Sequence, residues 1–319
     1  MSHELTETNG IVEMAYVGDT PWHGLGQKLE AGASIETWKT AAGMDWQIKR
    51  SRVRYGAGDA QRTYDDAHVL FRSDTKDALS VVGSGYKIVQ PGAVLDFFAE
   101  FAQAAGANLE TAGTLFGGRR FWALAKLGGE ESIIGNDVVA QYLLLASSCD
   151  GSSKTEARET AIRVVCNNTI SLALTGKTKH SIKVSHRSIF DPAWVKRELE
   201  ATGGNFSAFV KAARALAKVR VDNAKAEAFI ASLLAAKTTR EDVSDTPAYQ
   251  AILGLFNGQA IGADLAAAEG SAWGLLNAVT QYVDHSARAK TTEHRIASAW
   301  FGNGDSLKTQ ALEMAMALA

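Results

Sequence analysis

Glu110-Thr111-Ala112-Gly113-Thr114-Leu115, then Phe116-Gly117-Gly118, then Arg119-Arg120-Phe121-Trp122-Ala123-Leu124-Ala125-Lys126-Leu127 reads as two strands closed by a glycine turn. Glycine accepts the positive φ of a tight reversal, and the flanking runs hold β-branched and aromatic residues, so the stretch predicts a hairpin. Working outward, strands are expected at Arg52-Val53-Arg54-Tyr55, His68-Val69-Leu70-Phe71-Arg72, Leu79-Ser80-Val81-Val82 and Tyr86-Lys87-Ile88-Val89. Pro91 opens a helix over 92–105, where its missing amide hydrogen costs nothing. Further strands are predicted at 138–147 and 155–165, and Cys166-Asn167-Asn168-Thr169 predicts a helix through Leu174 with the asparagines as caps.

The first fifty residues read as loops with one short helix, N-capped by Ser34, and an ordered loop anchored by Trp22. From Asp191 the pattern turns helical: 194–201, 206–237, 248–256, 270–285 and 306–319, with Gly203-Gly204 as an interruption. The class is α+β: an antiparallel β-sheet core with flanking helices, followed by a helical C-terminal part. The expected division is 1–50, a loop and short-helix segment; 51–189, an α+β core and candidate nucleic-acid-binding domain; and 190–319, the helical part.

Among the 319 residues, 46% are hydrophobic and only two are cysteine, Cys149 and Cys166. That composition excludes a disordered chain and a disulfide scaffold. No run approaches the roughly 18 uncharged apolar residues of a membrane span. Met1 to Glu13 lacks the basic and apolar regions of a secretory signal, so a cytoplasmic address is expected.

The net charge of −2 is unevenly spread. Residues 154–240 carry 16 basic and 7 acidic groups, net +9, between acidic flanks. Arg119, Arg120 and Lys126 on the hairpin precede Lys154, Arg158 and Arg163, and Lys177, Lys179, His180, Lys183, His186 and Arg187 follow in a hydroxyl-rich segment. Basic, hydroxyl-rich segments contact phosphates without reading sequence. Tyr86, Phe121 and Trp122 are aromatic faces on which unpaired bases could stack, although strand aromatics more often belong to the core.

No Cys-x-x-Cys or His-x-x-x-His pair signals zinc, and Gly113 to Gly118 lacks the Gly-Lys-Ser/Thr ending of a phosphate loop. Neither cysteine carries a nucleophile signature. No metal, cofactor or catalytic set is called for.

Several strings occur together: Thr20-Pro21-Trp22-His23-Gly24-Leu25-Gly26, Gly85-Tyr86-Lys87-Ile88-Val89-Gln90, Gly117-Gly118-Arg119-Arg120-Phe121-Trp122, Asp150-Gly151-Ser152, Arg163-Val164-Val165-Cys166-Asn167-Asn168-Thr169 and Trp273-Gly274-Leu275-Leu276-Asn277-Ala278-Val279-Thr280-Gln281-Tyr282-Val283-Asp284-His285. With them the chain resembles the phage/plasmid-like protein family, a domain of unknown function, from about residue 10 to the end. The resemblance implies a mobile-element context and a cytoplasmic protein, and supplies no assigned activity. The order of elements over 92–175 is also similar to the strand-strand-strand-helix core of phage single-strand annealing recombinases.

The expectation is therefore a single-stranded-DNA-binding protein, of the annealing type and independent of ATP. Its phosphate contacts would be Arg119, Arg120, Lys154, Arg158, Arg163, Lys177, Lys179 and Lys183, with Tyr86 and Trp122 for stacking. Its partners would be single-stranded DNA and further copies of itself, with no membrane. The alternatives are an enzyme of nucleic-acid or nucleotide metabolism with a site near Cys149 and Asp150 or in the His180/His186 loop, and a non-enzymatic structural or regulatory phage protein.

Overall fold

The computed structural model describes residues 6–18, 25–166, 168–171, 181–184, 197, 205–235 and 242–319. Two compact units divide the chain discontinuously. The first takes Met1–Leu127, Leu143–Arg158 and Ser181–Ala201, and the second Gly128–Tyr142, Glu159–His180 and Thr202–Ala319. The chain crosses from one unit to the other inside three strands, β9 (Arg120–Ile134), β10 (Asp137–Ser148) and β11 (Thr155–Arg163). Two further crossings, after His180 and after Ala201, take the chain into the first unit and out of it again.

In the first unit the hairpin around Phe116-Gly117-Gly118 forms as the composition predicts. Strand β8 (Asn108–Leu115) pairs antiparallel with β9, Thr114 opposite Phe121 and Gly113 opposite Trp122. The sheet order is β4-β3-β8-β9-β10-β11, with β3 (Met14–Val17) antiparallel to β8 and parallel to β4 (Gln27–Leu29). A small antiparallel pair, β1 (Glu7–Thr8) and β2 (Ile11–Val12), precedes it. Among the described residues, the stretch before β5 therefore holds four short strands, β1 to β4, where loops were expected. Each has two to four residues, too short for the period-2 signature to register.

A separate antiparallel sheet has the order β5 (Ile48–Tyr55), β6 (Arg62–Arg72), β7 (Ala78–Gly83). Helix α1 (Ile35–Ala41) starts where expected: Ser34 Oγ accepts the Thr37 amide at 3.2 Å. Helix α2 (Pro91–Ala104) begins on its proline and buries Val94, Leu95, Phe98 and Phe101. These pack with Trp38, Trp46, Leu70, Phe121, Leu143 and Leu145 as one apolar core. Tyr86-Lys87-Ile88-Val89 joins no ladder; it is held instead by the Tyr86 hydroxyl and by packing against that core.

The second unit holds the ends of β9, β10 and β11 and strand β12 (Asn168–Ser171). Here the expected helix is a strand. Asn168 pairs with Arg163 and Ile170 with Ala161, after a turn at 164–166. Thr169 and Ile170 are β-branched and suit a ladder, and Asn168, instead of capping, donates its amide to the Asn277 carbonyl at 3.3 Å. The strand-strand-strand-helix succession thus lacks its helix at 168–171.

Among its described residues the helices are α3 (Asn205–Leu216), α4 (Asn223–Ala235), α5 (Pro247–Gly254), α6 (Ala272–Gln281), α7 (Thr292–Phe301) and α8 (Asn303–Met316). The expected run 206–237 breaks between Leu216 and Asn223, where Asp222 Oδ1 accepts the Lys225 amide at 2.9 Å and restarts the helix. Helix α6 runs into a π-helical turn, Tyr282–Ser286. Trp273 in α6 packs edge-on against Phe209 of α3 at the centre of the second core. The stretch 194–201, the Trp22 loop and the hydroxyl-rich residues 172–180 fall, apart from Arg197, outside the described residues. The architecture is α+β, with antiparallel sheets and a helical C-terminal part.

Candidate nucleic-acid interface

Three stretches far apart in sequence meet at one end of the first unit. The Tyr86 hydroxyl donates to the Cys149 carbonyl at 3.0 Å, the Cys149 amide donates to the Arg119 carbonyl at 3.0 Å, and Ser80 Oγ reaches the Asp150 carbonyl at 3.5 Å. The loop after β10 is closed on itself: Ser148 Oγ donates to the Ser153 carbonyl at 2.9 Å and accepts the Ser153 amide at 3.0 Å. Arg119 and Lys154 are exposed at this end, Tyr86 is half-buried, and the half-buried Arg120 holds its guanidinium 5.8 Å from the Phe116 ring. Phe116 sits at φ 57°, followed by Gly117 at 67° and Gly118 at 87°. A non-glycine residue there costs on the order of 1–3 kcal/mol, so the surroundings must hold it.

What holds it is a buried arginine. Arg72 Nη1 and Nη2 donate to Glu13 at 3.1 and 2.6 Å, Nε and Nη2 donate to Asp74 at 3.0 and 2.8 Å, and Nη1 also reaches the Gly117 carbonyl at 3.3 Å. The guanidinium lies 4.2 Å from the Trp46 ring, and Glu13 also accepts from Thr8 and Thr114. Burial alone would lower the Arg72 pKa, but the carboxylates outweigh it and the net shift is upward; Arg72 in turn lowers Asp74. This network anchors the hairpin turn from beneath.

Of the residues expected at phosphates, Arg119, Arg120 and Lys154 share this end. Lys183 lies on β13 (Ser181–Val184), which pairs with Thr155–Arg158 of β11, while Lys177 and Lys179 lie outside the described residues. Arg158 and Trp122 are buried. Trp122 stands across from Gly113, where a Cβ would come within 3.2 Å of the indole, so the indole fills the space that glycine leaves and offers no face to a base.

Arg163 is the clearest correction. It is 2% exposed in the second unit, its Nε and Nη2 both 2.7 Å from the oxygens of the fully buried Asp137. Nη2 also donates to the Gly262 carbonyl at 2.9 Å, and the Trp273 indole donates to Asp137 at 3.0 Å. A guanidinium so enclosed is structural, because a phosphate would have to displace a bidentate carboxylate. Burial alone would lower its pKa, yet the hydrogen bond with Asp137 raises it.

Sequence reasoning missed a second cluster beside it. Lys308 Nζ donates to Thr169 Oγ1 and Asp284 Oδ1, both at 2.7 Å, and Asp284 Oδ2 accepts the Thr169 amide at 2.7 Å. His285 Nε2 lies 3.0 Å from the Cys166 carbonyl and 3.1 Å from Asn168 Oδ1. Asp284 and His285 both sit on the π-helical turn, a distortion frequent at functional positions.

The model of a domain of unknown function, DUF932, matches residues 78–300. The chain belongs to the DUF932 family. No curated protein and no solved structure matches it. The DUF932 match takes in Tyr86, the hairpin turn, the loop after β10, and both partners in each of the pairs Arg163–Asp137 and Thr169–Asp284. Lys308, Glu13 and Arg72 lie outside the match.

Neither thiol of this DUF932 chain is poised to react. Burial pushes Cys149 up to about 12, and its Sγ donates to the Gly118 carbonyl at 3.4 Å. Burial likewise raises Cys166. Among the described residues no group of three or more His, Cys, Asp or Glu is arranged to hold a metal ion, and no helix is long and apolar enough to cross a membrane.

Proposed function

We propose that this DUF932 chain binds single-stranded DNA without catalysing a reaction, as an ATP-independent annealing-type protein of a phage or plasmid. It acts in the cytoplasm of a bacterial host and assembles from several copies. The observation that supports this is the meeting of Arg119, Arg120 and Lys154 with Tyr86 and Phe116 at one end of the first unit. Cations beside half-exposed aromatic rings are the combination that grips a flexible strand: phosphates pair with the cations and unpaired bases stack on the rings. Oligomerisation places many such weak sites side by side and multiplies their effective concentration. An enzyme centred on Cys149 lacks a thiolate at neutral pH, because the thiol is buried and its pKa lies near 12.

The test is binding of an oligothymidine at ~50 and ~200 mM salt, where phosphate contacts weaken steeply. Arg119→Gln with Lys154→Gln should weaken binding and flatten the salt dependence. Affinity that is absent, or indifferent to salt, overturns the reading.

A further inference from the structure

The sheet β5-β6-β7 carries a second basic surface. Strand β5 reads Ile48-Lys49-Arg50-Ser51-Arg52-Val53-Arg54-Tyr55, and beyond Ile48 only Val53 is shielded from solvent to any degree. Among the described residues it is an edge strand, bonded to β6 on one side only. Strand β7 pairs with β6 as far as Ala67 opposite Gly83. Past that point β5 and β6 continue as a two-stranded ribbon, Val53 opposite Tyr64 and Tyr55 opposite Arg62, capped by a turn at Gly58–Ala60.

Side chains alternate across a strand, so Arg50, Arg52 and Arg54 share one face. Two residues of strand advance about 6.8 Å, close to the spacing of successive phosphates in an extended nucleic-acid strand, and the extra residues of the register shift between Arg52 and Val53 lie on β6 rather than in the arginine row. The cross-strand neighbours on that face are Leu70, His68 and Thr63, so no carboxylate stands opposite an arginine. The ribbon's own acids are elsewhere: Asp59 in the turn, and Asp65 and Asp66 in the stretch of β6 that the register shift between Arg52 and Val53 leaves without a partner on β5. Tyr55 and Tyr64, 54% and 48% exposed, lie with Arg62 on the opposite face.

From this arrangement we infer that the β5 ribbon is a docking surface for single-stranded DNA, with Arg50, Arg52 and Arg54 each holding one phosphate. The surface is separate from the hairpin-turn end, and the choice of DNA as the polyanion rests on the reading above. Charged residues also guard edge strands against pairing with other chains. A guard needs charge alone, whereas a row on one face, free of directly opposing carboxylates, is complementary to a linear polyanion.

The experiment compares three proteins for oligothymidine binding across ~50 to ~200 mM salt: the full chain; the triple variant Arg50→Gln, Arg52→Gln, Arg54→Gln; and a control, Lys211→Gln, Lys218→Gln, Lys225→Gln. The control removes the same charge from exposed positions on α3, on α4 and between them. Loss of three phosphate contacts should reduce the slope of log K against log salt by about 2 in the ribbon variant and leave the control near the full chain. Circular dichroism checks that both variants fold. An unchanged slope in the ribbon variant, an equal loss in the control, or a duplex that binds the full chain as tightly as the single strand overturns the inference. So does a ribbon variant that aggregates while binding undiminished, which would make the arginines an edge guard. If the full chain binds no oligonucleotide, the proposed function fails as a whole; if the full chain binds and the ribbon variant keeps the same slope, the ribbon alone is refuted.

Discussion

Replacing Asp137 by alanine should unfold the second unit far more readily than any surface change. The carboxylate is fully buried and takes two guanidinium hydrogen bonds from Arg163 at 2.7 Å each and the Trp273 indole hydrogen at 3.0 Å. Its removal leaves a cation 2% exposed, whose remaining partners among the described residues are the carbonyls of Ile261 and Gly262 and the Cys166 sulfur. Breaking a buried pair by deleting one partner costs about 3–5 kcal/mol, most of it the penalty of the uncompensated charge. Against the ~5–15 kcal/mol that stabilises a typical domain, that is a large share. Urea unfolding gives the magnitude, and hydrogen exchange at the α6 amides locates it in the second unit. The double variant Asp137→Leu with Arg163→Met removes both charges and should recover most of the loss, because apolar substitution of a whole buried pair is often nearly neutral. A loss under about 1 kcal/mol for Asp137→Ala, or a double variant worse than the single, would refute the assignment of that cost to the stranded charge.

Gly118→Ala should lower stability by on the order of 3 kcal/mol, since the new Cβ would strike the Trp46 ring, approach Arg72 Nη1 at 3.0 Å and force alanine to φ 87°. Gly117→Ala, whose Cβ meets nothing, should cost only about 1–2 kcal/mol from its φ of 67°, and thermal melts of the pair rank them. Burial lowers the His285 pKa below its ordinary 6.5. The unfolded chain then binds the proton more readily, so this residue's contribution is intact above pH 6.5 and fades as pH falls toward the folded-state value. The acid loss in melting temperature should therefore be smaller in His285→Asn than in the unaltered protein, and identical pH profiles would exclude the mechanism. Both cysteines should resist a thiol reagent at neutral pH until denaturant is added; titration of either in the native protein contradicts their burial.

The central hairpin, α1, α2 and the α+β class were legible because each rests on a local rule: glycine at positive φ, a serine cap, a proline at the first helical turn. Strand β12 was not, since Asn167 and Asn168 are as good at a helix cap as at a turn, and the ladder with β11 decides between them. Helix α7 escaped for another reason. Its capping Thr291 is genuine, accepting the His294 amide at 3.3 Å, but Ala299 is its only fully buried residue and the apolar stripe is faint. At the candidate interface, charge alone singled out Arg119 and Lys154, yet the same criterion drew in Arg163, whose partner lies 26 residues away and leaves no trace in spacing. The ribbon arginines show the opposite failure. Their alternation was visible, but the segment 51–153 that holds most of them nets −3, and summed charge hides a one-faced row.

The crossings inside β9, β10 and β11 bear on how this gene can change. Each unit is assembled from three separate stretches of sequence, so no single cut in the coding sequence releases either one whole. A cut at any one junction leaves at least one unit in pieces. Both units can be moved intact only together, as one cassette.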